Sequence, residues 1–139
     1  MMRNQEQTIG NLIDKQSVCY LGSIDKQGFP NVKAMHSPRS REDIRVFYFS
    51  TNTSSLRGSQ FRSNPKASAY FVDRRFFRGV ILLGTVEVLE DAEFKEMLWQ
   101  AGDSKYYTEG VTDPDYCVLR FTAQSGRYYS RFKSEDFDI

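Results

Sequence analysis

Residues 51–57, TNTSSLR, combine the residue types that bind a phosphate group. The Thr-Asn-Thr start is a natural N-cap, so we expect a short helix over about residues 54–63. Its first turn then places Ser54, Ser55 and Arg57 beside backbone N–H groups that have no partner in the helix. These donors, the helix dipole and a cation together favour a bound anion. An ordinary capped helix with a solvated Arg57 is the alternative.

Other residues that could do chemistry are few and scattered. Cys19 and Cys117 lie in apolar stretches without CxxC or Cys/His ligand spacing, so no zinc, other metal or redox site is indicated. His36 is the single histidine, and no Ser/His/Asp arrangement or carboxylate pair accompanies it. The net charge of +1, from 19 basic and 18 acidic residues, argues against nucleic acid as a partner.

The elements that must position these residues are mostly strands. Short runs of β-forming residues, separated by turn signals, predict strands over residues 17–24, 29–36, 46–49, 67–73, 77–89, 116–122 and 127–132. The last two are expected to form a hairpin about Ser125-Gly126. Helical spacing of apolar residues predicts helices over residues 4–16 and from Asp91 through Gln100, the latter with Phe94, Met97 and Leu98 facing the core. Hairpin spacing with few helices indicates an antiparallel barrel.

Longer stretches of the sequence follow the order of motifs in one known family. The segments FYFST, SSLR and NPKASAYF occur in that order, with CYLGSIDKQGFPNVKAM before them and RGVILLGTVEVLEDAEFKEMLW and VLRFTAQSGRYY after them. Together they resemble the pyridoxamine 5′-phosphate oxidase-like family of FMN-binding split barrels, and within it the small general-stress-protein branch. The resemblance covers most of the chain. It implies a mainly β fold, an antiparallel Greek-key split β-barrel of six to seven strands with a few flanking helices, in one domain over residues 1–139.

The resemblance also implies a site for FMN. In that family the second strand lies along one edge of the flavin ring, and the end of the next strand follows the ring and ribityl chain, mostly through its backbone. Arg57 matches the phosphate-binding lysine of the family, and Leu56 stands where some members have a second arginine. The implied contacts within one chain are Lys33, Ala34, Met35, Phe49, Ser50, Thr51, Ser54, Ser55, Leu56, Arg57 and Gln60.

A homodimer follows from the same resemblance, because the flavin of that family lies at a two-fold interface. The matching contacts from the other subunit are Arg78 and Gly79, with Trp99 as a further candidate. A core or interface anchor is the alternative for this single tryptophan. The apolar run in strand 80–89 also predicts a dimer, since its exposed face needs cover.

The function implied is that of an FMN-binding protein, in particular a flavin-dependent oxidoreductase acting on an unidentified small molecule. The chain ends in an acidic segment, EDFDI, where authentic pyridoxamine phosphate oxidases have a basic one, so pyridoxal phosphate synthesis is not expected. A non-catalytic, stress-related flavin-binding module and a deazaflavin- or nitro-compound-linked reductase remain alternatives. With two free thiols, no apolar leader and no run of transmembrane length, we expect a cytoplasmic protein without a membrane partner.

The polar segment Ser37–Asp43 is predicted to be a mobile loop beside the flavin edge. One hypothesis is that Arg39 and Arg41 attract an anionic electron donor, such as a reduced nicotinamide dinucleotide. The alternative is a solvated loop in which Glu42 and Asp43 balance the two arginines.

Overall fold

The computed structural model describes residues 4–139, which form three α-helices and eight strands. The helices are α1 (Gln5–Asp14), α2 (Leu56–Ser63) and α3 (Ala92–Leu98). The strands are β1 (Val18–Ile24), β2 (Pro30–His36), β3 (Ser40–Glu42), β4 (Val46–Asn52), β5 (Lys66–Asp73), β6 (Arg78–Leu89), β7 (Tyr116–Ser130) and β8 (Lys133–Asp138). Short 3₁₀ helices cover Ala101–Lys105 and Gly110–Thr112.

All pairings of the sheet are antiparallel, which confirms the predicted architecture. The strand order is β2-β1-β5-β6-β7-β4-β3, and β8 pairs with β7. The neighbours β1 and β5, like β4 and β7, are far apart in sequence, as in Greek-key connections. The described residues thus form a split β-barrel with eight strands rather than six or seven.

The core follows the predicted patterns of apolar residues. Ile9, Leu12 and Ile13 of α1 are buried against the inner faces of the sheet, as their helical spacing predicts. A second, smaller cluster packs α3 and the 3₁₀ segment against the outer face of β4 and β7, and it contains Leu98 and Tyr116. The α3 helix ends at Leu98, two residues earlier than predicted, and Met97 is half exposed instead of facing the core.

The predicted hairpin about Ser125-Gly126 is wrong, because β7 runs through these residues to Ser130. Gly126 pairs with Leu82 on one side and Phe137 on the other. A Cβ atom at this position would lie 2.5 Å from the Phe137 ring, so the glycine permits a close approach and not a turn. The chain reverses instead at Arg131, whose φ is 60°, and continues into β8.

The predicted loop Ser37–Asp43 contains the short strand β3, which is paired with β4. Its arginines are held by carboxylates from other elements, so the expectation of a mobile loop is wrong. Both cysteines are buried free thiols, and burial raises the pKa of Cys19 to about 12. No helix in residues 4–139 is long and apolar enough to cross a membrane.

Candidate functional site

The turn between β4 and α2 is built by side chains that cap the helix. The chain leaves β4 at Asn52 and turns, so the N-cap is Ser55 rather than the predicted Thr-Asn-Thr segment. The Ser55 Oγ accepts a hydrogen bond of 3.0 Å from the backbone N–H of Gly58. The N–H of Ser54 is not a free donor, because it donates to the Asp115 Oδ1 at 2.9 Å. The open donors therefore belong to the first turn of the helix itself, at Leu56 and Arg57.

Arg57 is a half-buried cation without a counter-ion among the described residues. Its Nε atom is fully buried and has no hydrogen-bond partner within residues 4–139. Burial without a carboxylate lowers the pKa of this guanidinium from its usual value, although arginine remains charged at neutral pH. An uncompensated buried cation at a helix N-terminus is electrostatically favourable only when an anion binds beside it.

Two adjoining pockets meet at Arg57 and share this residue and Asn52. The first, which we call the helix pocket, has a volume of about 320 Å³. Its lining is Leu21, Ser23, Asn31, Val32, Lys33, Asn52, Ser55, Leu56, Arg57 and Gln60. Lys33 is exposed, and its side chain makes no hydrogen bond or ion pair with the described residues. The helix pocket thus offers two unpaired cations to a ligand.

The second pocket, which we call the loop pocket, has a volume of about 670 Å³ and is formed by β2, the segment after it and the end of β4. Its lining is Ser17, Ala34, Met35, His36, Ser37, Pro38, Arg39, Ser50, Thr51, Asn52, Arg57, Gln100 and Tyr107. The two pockets together offer an elongated site with cations in one part and a mixed apolar and polar surface in the other. Such a division suits a flat ring that carries a phosphate-bearing chain.

Most of the residues predicted within one chain come together around these pockets. Lys33, Ser55, Leu56 and Gln60 line the helix pocket with Arg57. Gln60 is buried, and its side-chain oxygen already accepts a hydrogen bond from Ser23, which fixes the orientation of its amide. Leu56, by contrast, is 69% exposed, so it offers an apolar rim and no charge.

The loop pocket contains the rest of this predicted set, except Ser54 and Phe49. Ser54 is exposed and lines neither pocket. Ala34, Met35, Ser50 and Thr51 line the loop pocket. Phe49 does not, because its side chain is 1% exposed and packs in the main core. Only its backbone is available to a ligand, as the resemblance implies for this strand.

The three residues predicted to act from the other subunit lie away from both pockets within one chain. Arg78 and Gly79 begin β6 at the other end of the sheet, beside the turn that joins β5 to β6. Trp99 packs edge-on against Tyr116, with ring centroids 5.2 Å apart, in the smaller core cluster. This environment is that of a core anchor.

The arginines of the segment Ser37–Asp43 are both ion-paired. Arg39 donates to the two carboxylate oxygens of Asp103 at 2.6 and 2.7 Å, and to the Leu98 carbonyl oxygen at 3.0 Å. The hydrogen bond from Arg39 holds the pKa of Asp103 below its usual value. Arg41 pairs in the same two-pronged way with Asp14. The paired carboxylates are thus Asp103 for Arg39, and Asp14 with a longer contact of 3.8 Å to Glu6 for Arg41, and not the predicted Glu42 and Asp43.

Sequence reasoning missed several residues of the site, which include Asn31, Asn52 and Gln100. Tyr107 also lines the loop pocket, and burial raises its pKa to about 12. Tyr107 and Gln100 come from the irregular segment after α3, where the sequence has no periodic signal. Asn52 lies inside the segment that was singled out, so its position could have been inferred from its neighbours.

Comparisons with known proteins define the class to which this fold and site belong. The sequence model of the family described as pyridoxamine 5′-phosphate oxidase matches residues 6–130. The chain therefore belongs to the pyridoxamine 5′-phosphate oxidase family.

Within the family, the chain is similar to a protein from Clostridium acetobutylicum described as related to general stress protein 26. The two share 37% sequence identity and superpose with a TM-score of 0.86 over 98% of this chain and 97% of the other. The pyridoxine/pyridoxamine 5′-phosphate oxidase of Allorhizobium ampelinum is 35% identical over 81 residues. That match spans 58% of this chain but only 38% of the enzyme.

The fold is also shared by a protein that is described as binding a different cofactor, heme. A heme binding protein from Mycobacterium smegmatis superposes with a TM-score of 0.74 over 99% of this chain and 60% of the other, at 16% identity. A likeness at this identity concerns the fold alone, so the cofactor must be argued from the residues of the site.

Proposed function

We propose that the helix and loop pockets bind FMN, and that the protein is a flavin-dependent oxidoreductase acting on a small molecule. The observation that carries this proposal is the half-buried Arg57, whose Nε atom has no partner within residues 4–139 at the start of α2. The FMN phosphate is the group that would complete it, with Lys33 and the N–H donors of the first helical turn beside it. Once bound, the flavin supplies the redox chemistry.

The remaining lining residues orient the ring in this proposal. Ala34 and Met35 offer an apolar surface, and Ser50 and Thr51 offer hydroxyl and backbone groups at the end of β4. His36 and Tyr107 line the same pocket and offer ring nitrogen and hydroxyl groups to a ligand there. The substrate and the electron donor are not assigned, because the chain matches only part of the length of the curated oxidase.

A homodimer is the second part of the proposal, since members of this family are typically dimers. Val32 is 72% exposed, Leu56 69% and Leu83 48%, around the helix pocket and the neighbouring groove that contains Val32 and Leu83. This apolar surface is suited to cover by a second copy. Arg78 and Gly79 of that copy are the proposed further contacts to the flavin.

The binding test is a titration of FMN against the parent and Arg57→Ala. A charge-assisted contact is worth about 1.5–3 kcal/mol, so the variant should bind FMN about 10- to 150-fold more weakly. Arg62→Ala is the matched control on the same helix, because Arg62 is exposed and reaches Glu90 at 3.6 Å. Equal FMN affinity in the parent and Arg57→Ala would place the phosphate elsewhere.

Turnover is tested separately by adding NADH or NADPH to the flavin-loaded protein without oxygen. Bleaching of the flavin band supports the oxidoreductase. A bound flavin that neither nucleotide reduces supports the non-catalytic module.

The dimer is tested by light scattering of the parent and Leu83→Glu, with Met97→Glu on the exposed face of α3 as the control. A monomeric parent in the presence of FMN contradicts the proposed interface.

A further inference from the structure

A separate cavity of about 1060 Å³ lies between the β5–β6 turn and the β7–β8 turn. We call it the hairpin groove. It is at the end of the sheet opposite the β1–β2 turn, because β5 ends there after running antiparallel to β1. Its lining residues are distinct from those of the helix and loop pockets. Within one chain it is therefore a second site.

Exposed aromatic rings mark this groove. Phe76 is 60% exposed, Phe77 66% and Phe132 103%, and all three line it. Three large rings at two adjacent turns form a surface that a soluble domain usually reserves for a ligand or partner. Tyr128 adds a further aromatic side chain to the lining.

Positive charge is concentrated at the same place. Arg75, Arg78, Arg131 and Lys133 line the groove, while Glu135 is the single carboxylate in its lining. Since the whole chain carries a net charge of only +1, the rest of it is net negative. The groove is thus a local positive site, and it favours an anion over a neutral or cationic ligand.

Two of these cations, Arg75 and Arg78, lie over an aromatic ring, and both are paired only loosely with the buried Asp73, whose Oδ1 is 3.6 Å from the Nε of Arg75. The guanidinium carbons of Arg75 and Arg78 lie 5.2 and 5.7 Å from the centroid of Phe76. The Nη2 of Arg78 approaches Asp73 Oδ2 only to 3.5 Å, and its buried Nε has no hydrogen-bond partner in residues 4–139. Donors therefore remain for a ligand whose ring can stack on the same surface.

The backbone at the two turns adopts conformations that non-glycine residues rarely take. Phe77 has a φ of 49° and Arg131 a φ of 60°. The backbone N–H of Arg131 donates to the Phe77 carbonyl oxygen at 3.0 Å, which fixes one turn against the other. A bulky residue with positive φ carries strain, and such strain is concentrated at functional sites.

From these observations we propose that the hairpin groove binds a nucleotide, that is, a planar heterocycle carrying phosphate groups. The base stacks on Phe76 or Phe132, and the phosphates contact Arg75, Arg131 and Lys133. At about 1060 Å³, the volume of the groove lies at the upper end of the range that is usual for small-molecule sites, about 300–1,000 Å³. Because only four of the 19 basic residues line this groove and the rest of the chain is net negative, a single nucleotide fits better than a nucleic-acid strand. This proposal goes beyond the flavin site. The two sites share only Arg78, which the proposed dimer would also present to the flavin, so the phosphate contacts proposed for the groove do not include it.

The test is calorimetric titration of the full chain with ATP and, in parallel, with inorganic tripolyphosphate. We expect saturable ATP binding that weakens about tenfold in Phe76→Ala and in Arg75→Ala, with Phe76→Tyr close to the parent. Tripolyphosphate should be sensitive to Arg75→Ala and insensitive to Phe76→Ala, because it has no ring.

Matched controls come from the same chain. Phe29→Ala removes an exposed phenylalanine from the opposite end of the sheet, and Arg127→Ala removes an arginine of β7 that pairs with Asp136 instead. Both should bind ATP like the parent. The proposal is overturned if the parent does not bind ATP, or if Phe76→Ala leaves ATP affinity unchanged. It is also overturned if Arg57→Ala abolishes ATP binding while the groove variants retain it, since the nucleotide then occupies the proposed flavin site.

Discussion

Arg39 and Arg57 line the same loop pocket, yet the protein satisfies one of them and leaves the other without a counter-ion. Arg39 makes three hydrogen bonds of 2.6 to 3.0 Å to Asp103 and Leu98, which join β3 to the segment after α3. Arg57 has a buried Nε with no partner in the described part of the chain. The first arginine holds parts of the structure together, whereas the second is the proposed ligand contact. This difference has measurable consequences.

The largest effect on stability is expected from Arg39→Ala. The change leaves Asp103, whose side chain is 7% exposed, without its cation. Removal of one partner of a largely buried pair should lower the free energy of unfolding by about 3 kcal/mol. Urea unfolding of the flavin-free protein measures it. Arg127→Ala removes an exposed ion pair and should cost less than about 1 kcal/mol. Equal losses in the two variants would show that the Arg39 pair is no stronger than a surface pair.

Arg57→Ala should show the opposite behaviour. Without flavin its stability should match or slightly exceed that of the parent, because an uncompensated charge has been removed from a half-buried position. With FMN at 100 times the Kd of the parent, the parent should gain about 2.7 kcal/mol, and a variant that binds 10- to 150-fold more weakly should gain about 0.3 to 1.4 kcal/mol. Thermal unfolding with and without FMN gives both values. A flavin-free variant that is clearly less stable than the parent would mean that Arg57 has a structural role.

A low pH should reduce the difference in the free energy of unfolding between the parent and Arg39→Ala. The pKa of Asp103 in the folded protein is lowered, chiefly by the hydrogen bond from Arg39. The stability that ionised Asp103 contributes is therefore fully present above its unfolded pKa of about 3.9. It is lost as the pH falls through the lower pKa that Asp103 has in the folded protein. Asp14 and Glu87 also have lowered pKa values, but they remain paired in both proteins. Urea unfolding at a series of pH values from 7 downward tests the sign. A difference that widens in acid would contradict the assignment.

The smallest effect is expected from Arg41→Ala, on the rate at which NADPH reduces the flavin. Arg41 is engaged by Asp14 and is not available to attract an anionic electron donor. If NADPH reduces the flavin, the rate of this reduction and the salt dependence of the rate should be the same in the variant and the parent. Stopped-flow reduction at low and high salt measures both. A slower variant at low salt only would restore the hypothesis of steering by this segment.

The features that sequence could predict are those with a local cause. The spacing of Ile9, Leu12 and Ile13 predicts the buried face of α1, and the β-forming run before Ser50 predicts β4. The residue types before α2 likewise predict a short capped helix, because helix caps depend on adjacent residues. The anion site at its start stays a prediction.

The errors have causes that lie far along the chain. Gly126 was taken for a turn residue, while its reason is the approach of Phe137 from β8. The segment with Arg39 was taken for a mobile loop, because its partner Asp103 lies 64 positions away. Trp99 was left between two roles for the same reason, since its aromatic neighbours come from other parts of the sequence.

The unbroken course of β7 has a consequence for how the protein opens and folds. Its 15 residues pair with β6, β4 and β8, so this strand joins three parts of the sheet. Amide hydrogens at its first half, which is buried between β4 and β6, can exchange with solvent only when those pairings separate. We therefore expect them to report the global opening of the domain, whereas the edge strand β2 exchanges by local fraying. Because β7 lies far along the chain from β4, the sheet is completed only after most of the protein has been synthesised.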